Sequence, residues 1–163
     1  MTTRYITVLG AVVLAVVAAG CGSSTTPSSS ISQVPHVAPA TTAQVAQSYL
    51  SATGAVDSAY DSWHAAIVAA DGKVLNLTSQ ASSYVAVLTT FDNKIQNIGA
   101  TGKAATDIAT LVSDDNTFIA DLNSLSSQSS STEASWDAKA LSDGLAAVAQ
   151  GDVVRADLGL PPS

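Results

Sequence analysis

A single cysteine, Cys21, leaves the chain without any possible intrachain disulfide, so its fold must hold without that brace. Positive charge is scarce too. Six Lys and Arg stand against 13 acidic residues, for a formal net charge of −7. Nucleic-acid binding needs basic patches that neutralise phosphates, and this balance excludes it. Docking on anionic headgroups by charge fails on the same ground. Catalytic signatures are missing as well: there is no Gly-x-Ser-x-Gly elbow, no glycine-rich phosphate loop, no His-Glu-x-x-His and no cysteine pair. Asp121-x-Asn123 opens like a calcium loop, but Leu125, Ser126 and Thr132 stand where an oxygen ligand, a glycine and a glutamate are required. The sequence therefore nominates no catalytic residue and no cofactor, and the expected protein is not an enzyme.

Long apolar runs are also lacking, with one exception at the start. Arg4 and the start amine precede Tyr5-Ile6, Val8-Leu9 and the run Val12 to Val17, and the small residues Ala18-Ala19-Gly20 close the segment. That is the layout of a secretory signal peptide. The run stops short of the roughly 20 apolar residues that span the hydrocarbon core. Residues 1–20 are expected to be removed, which takes away Arg4 and no acid.

Val17-Ala18-Ala19-Gly20-Cys21, followed by Gly22-Ser23-Ser24, resembles a bacterial lipobox, with Ala18 at a position more often Leu or Val. The resemblance implies that Cys21 is acylated and becomes the new N-terminus, anchoring an exported protein to the outer face of the cell membrane. Several acyl chains, at ~0.8 kcal/mol per buried CH₂, make such an anchor durable. Residues 21–40 are rich in Ser, Thr and Pro without apolar periodicity and read as a tether, a composition also open to O-glycosylation. His36, between Pro35 and Pro39, is inert in this reading.

From Thr41 the pattern turns helical. Thr41-x-x-Gln44 has the spacing of a capping box, and Val45, Tyr49, Ala52, Val56, Tyr60, Trp63 and Ile67 follow at intervals of three and four. Asp71-Gly72 ends this helix, the glycine supplying the left-handed cap. A second stripe runs from Leu77 through Tyr84, Leu88, Phe91 and Ile95 to Ile98, and a third from about Thr101 through Ile108, Leu111, Phe118 and Leu122 to Leu125. Ser130-x-x-Glu133 has capping-box spacing before a fourth helix with Trp136, Leu141, Leu145, Val148, Val154 and Leu158, stopped by Gly159-Leu160-Pro161-Pro162. Ala140, Gly144, Ala147 and Gly151 form a small-residue ridge expected to admit a neighbouring helix closely. Four helices with short connections predict an all-α, up-down-up-down antiparallel four-helix bundle over residues 41–160, with 161–163 as a tail.

Asp152-Val153-Val154-Arg155-Ala156-Asp157-Leu158-Gly159-Leu160-Pro161-Pro162, with Phe118 to Leu122, Trp136 and Leu141-x-Asp143, resembles the alanine-rich helical lipoproteins of mycobacteria and related actinobacteria. What the resemblance implies is an envelope location and a four-helix body. It brings no activity.

One polar constellation stands out. Asp115 occupies a position where the third stripe calls for an apolar residue, and folding about the Gln128–Ser129 turn sets it roughly level with Asp143. Asp61-x-x-His64 puts a carboxylate and an imidazole on one helical face at a similar height. Asp61, His64, Asp115 and Asp143 are open to three readings: a metal site, a hydrogen-bonded polar layer, or solvent-facing groups beside an edge acid. The expected function is a non-enzymatic binding or structural module of the envelope, with another envelope protein or a lipid as its partner. The alternative is a carrier of a small ligand, lipid or metal, in an interhelical cavity lined by Tyr49, Tyr60, Tyr84 and Trp136.

Overall fold

Thr41 and Gln44 form the expected reciprocal cap: Gln44 N–H donates to Thr41 Oγ1 (3.3 Å) and Thr41 N–H donates to Gln44 Oε1 (2.8 Å). The computed structural model describes residues 39–163, so the signal segment 1–20, Cys21 and nearly all of the tether lie outside the described residues. From the cap the chain runs through α1 (Thr42–Ala69), α2 (Thr78–Ile95), α3 (Gly102–Ser124) and α4 (Glu133–Asp157). Single 3₁₀ turns at Val74–Asn76 and Leu125–Ser127 tighten two corners. Among the described residues there is no strand, and no helix is long and apolar enough to cross a membrane.

Val45 early in α1, Ile95 at the end of α2, Ile108 early in α3 and Val154 late in α4 meet in one apolar cluster. At the other end Trp63, Ala81, Leu122 and Trp136 meet in a second. Helix starts pair with helix ends, which is the arrangement of an up-down-up-down four-helix bundle. Packing runs α1 on α2, α2 on α3 and α3 on α4, whereas the α1 and α4 backbones make few close approaches. Side chains bridge them at one end, where Tyr49 meets Gly151 and Val45 shares a cluster with Val154, and toward the other end a seam is left between them.

Two helix ends differ from expectation. At the end of α1 the left-handed residue is Asp71, at φ 54°, rather than Gly72 alone. Asp71 N–H bonds Val68 O (3.2 Å) and Gly72 N–H bonds Ile67 O (3.1 Å), the paired bonds of a Schellman cap with Asp71 in the glycine position. The Ser130–Glu133 capping box does not form. Ser129 N–H donates to Thr132 Oγ1 (3.0 Å) and Thr132 N–H to Ser129 O (2.9 Å), so the turn closes on itself and α4 begins only at Glu133. Glu133 Oε1 instead accepts from Leu75 N–H (3.3 Å), tying α4 to the corner after α1.

The inward face of α4 is also a correction. Leu141, Leu145 and Val148, expected in the core, are 62 %, 59 % and 52 % exposed, while Ala140 and Ala147 are buried with Trp136, Val154 and Leu158. At about 100° per residue, Leu141, Leu145 and Val148 lie roughly 120–180° round the helix from Trp136; the buried set lies within about 40° of it. Trp136 fixes the choice, because its Nε1–H donates to Asp121 O (2.9 Å) and Ser124 Oγ (3.0 Å) on α3. The small side of α4 faces the core and its large aliphatics face the open seam.

Candidate ligand-binding cleft

The open seam leads into two adjoining cavities. One, about 120 Å³, lies where the two halves of the core meet, beneath Tyr49, Val56, Tyr84, Phe91 and Phe118, with Asp115 in its wall. The other, about 160 Å³, continues between Tyr60, Trp63 and Ile67 on α1 and Trp136, Leu141 and Leu145 on α4. Tyr84, Phe118, Gly144 and Val148 line both. The aromatic residues of the expected carrier cavity are therefore at this seam, joined by Trp63, Phe91 and Phe118.

The small-residue ridge explains the shape. As expected, it admits a neighbouring helix closely, α3, with Ala140 and Ala147 buried, and at its glycines it also admits aromatic rings. A Cβ on Gly144 would sit 3.4 Å from the Phe118 ring, and the Gly151 carbonyl accepts from the Tyr49 hydroxyl (3.5 Å). Edge-to-face contacts order the rings: Tyr49 on Phe91 at 6.0 Å and Tyr84 on Phe118 at 5.9 Å between centroids. Burial pushes the Tyr49 hydroxyl up to about 12 and that of Tyr84 higher still, so both remain neutral donors.

Asp115 is 4 % exposed and Asp92 on α2 is 5 % exposed. Their carboxyl groups lie close enough to interact, and Asp115 Oδ2 and Asp92 Oδ1 have no hydrogen-bond partner. Two carboxylates in so dry a place cannot both ionise cheaply, so the pair holds a proton between them. Burial first, then the neighbouring Asp92 carboxyl, raises Asp115 to about 8. Burial also raises Asp92, opposed by its hydrogen bond to Asp115.

The four-residue constellation expected around Asp115 is not assembled. Asp61 and His64 are exposed on α1, where His64 stacks on Tyr60 with ring centroids 6.1 Å apart and borders the second cavity. Asp143 is held by Lys139 Nζ (2.7 Å), which also binds Asp121 (2.6 Å), and those hydrogen bonds lower Asp143 below its ordinary range. Among the described residues no group of three or more His, Cys, Asp or Glu is disposed to hold a metal. Asp115's partner is Asp92, which was not singled out. The signal was present: Leu88, Asp92 and Ile95 have the four-and-three spacing of the inward stripe, as do Leu111, Asp115 and Phe118.

Searches of protein-family models, curated proteins and solved structures find no match for this chain.

Proposed function

We propose that the protein is a non-catalytic binding module of the cell envelope, anchored through an acylated Cys21, whose α1–α4 cleft takes up a small ligand with an apolar body. The observation that carries the reading is the seam itself: there the α1 and α4 backbones stay apart, and Leu141, Leu145, Val148 and Tyr60 remain exposed along a cleft floored by aromatic rings. Exposed apolar side chains beside a concave aromatic surface favour a ligand over water. Ser-, Thr- and Pro-rich residues 21–40 leave reach between anchor and domain, and the lipobox-like Val17–Cys21 supports the anchor.

The test is binding of an apolar fluorophore such as N-phenyl-1-naphthylamine to the purified protein and to Val148→Trp. Val148 borders both cavities and is half-exposed, so an indole there fills the cleft without disturbing the core. Saturable binding lost in the variant supports the reading; equal binding by both proteins removes it. The anchor is tested separately with an alkyne fatty acid, which should label the wild type and leave Cys21→Ala unlabelled.

A further inference from the structure

We propose that the cavity beside Asp115 is a site for an organic cation: a protonated amine whose ammonium lies against Asp115, the member of the carboxyl pair that lines the cavity, and whose apolar body extends along the cleft toward Trp63 and Trp136. The inference rests on the cleft being the ligand site and names the chemistry of what enters it. Asp115 lines the cavity, is 4 % exposed, and its Oδ2 has no donor. A buried acceptor without a donor is costly, and an ammonium brings three.

Among the described residues no salt bridge reaches Asp92 or Asp115. Lys103 is engaged by Asp107 and Asp157, and Lys139 by Asp121 and Asp143. Arg155 borders the cavity from α4, but its Nε–H is given to the Pro161 carbonyl (2.6 Å). Asp57 on α1 also borders the cavity, and Asp114 on α3 adds to the negative potential at Asp115. The carboxyl pair thus has no ion-pair partner among the described residues.

The walls suit a cation as well. Tyr49, Tyr84, Phe91 and Phe118 line the same cavity as Asp115, and aromatic faces attract positive charge. A carboxylate ligand would meet repulsion there, and a neutral alcohol would gain one hydrogen bond without charge. An apolar cavity near 150 Å³ takes a molecule the size of benzene, so two adjoining cavities suit an alkyl chain of about eight carbons. The formal net charge of −7 draws cations toward the domain.

The test is isothermal titration calorimetry of the intact protein with three eight-carbon probes: octylamine, 1-octanol and octanoate. At pH 7.5 octylamine should bind at least tenfold more tightly than 1-octanol, with octanoate weakest. Asp115→Asn, nearly identical in shape, should bring octylamine down to the level of 1-octanol and leave 1-octanol unchanged. If that variant does not fold, the wild-type pH series decides: octylamine affinity should rise from pH 6 to pH 9 as the Asp92–Asp115 pair gives up its proton. Burial keeps the Tyr49 and Tyr84 hydroxyls neutral over that range, and His64→Gln, made in parallel, removes the imidazole that borders the second cavity. Equal or tighter binding of 1-octanol, or a flat pH series, overturns the cation site and leaves the apolar cleft standing. Failure of all three probes to bind overturns both.

Discussion

The Asp115 carboxyl on α3 lies beside the Asp92 carboxyl on α2 at the level where the two apolar clusters of the bundle join, with Asp115 Oδ2 and Asp92 Oδ1 buried and without a hydrogen-bond partner. Leu111 belongs to one cluster and Leu122 to the other, so the acid interrupts what would be a continuous core.

Replacing both acids, Asp92→Leu together with Asp115→Leu, should therefore stabilise the ligand-free protein, by about 1–3 kcal/mol, because it removes two poorly satisfied buried carboxyls and joins the clusters, whereas Asp115→Leu alone leaves Asp92 orphaned. The adjoining 120 Å³ cavity gives the larger side chain at position 115 room. The measurement is the shift in urea midpoint at pH 7. A lower midpoint would mean that the carboxyl pair holds α2 to α3.

The same pair sets a pH dependence. An acid whose folded pKa lies above its unfolded one binds its proton more tightly when folded, so its contribution to stability is present at low pH and lost as pH rises. For Asp115 the window runs from the ordinary carboxyl value of about 4 up to about 8. One proton gives a slope of at most ~1.4 kcal/mol per pH unit. Asp107, Asp143 and Asp152 are lowered by their hydrogen bonds and act in the opposite direction, losing stability as pH falls below the ordinary carboxyl range. The melting temperature should be higher at pH 5 than at pH 8, and Asp115→Asn should flatten the difference.

Trp136 is 6 % exposed and donates its indole N–H across to α3. Trp136→Ala should cost about 3–5 kcal/mol, through lost burial and two orphaned acceptors. Trp136→Phe should retain most of the packing and cost less, which separates the two contributions by chemical denaturation.

Asp71→Gly should be stabilising, by up to about 1 kcal/mol. Asp71 holds φ 54° in a Schellman cap, a conformation that costs a side-chain-bearing residue more than glycine. Thermal melts of the two proteins give the sign.

The helices were legible because their stripes are regular: Leu77, Ala81, Tyr84, Leu88, Phe91 and Ile95 all lie in the core as their spacing predicts. In α4 hydrophobicity misled. Leu141 and Leu145 are larger than Ala140 and Gly144, so they look like the core, but the phase set by Trp136, Val154 and Leu158 runs through the small residues. Asp115 was legible as an acid on an apolar stripe. Its partnership with Asp92 was not, because pairing across helices depends on their axial offset, which spacing within one helix does not encode. Asp143 lies in the expected region of α4 but turns toward Lys139.

The central claim is that the α1–α4 cleft is occupied in the cell. Native mass spectrometry of the protein purified from the cells that make it measures this directly. The account predicts a population carrying one small non-covalent mass, present on the wild type and missing from Val148→Trp. Wild type and variant arriving with the same bound mass, or both bare, would contradict it.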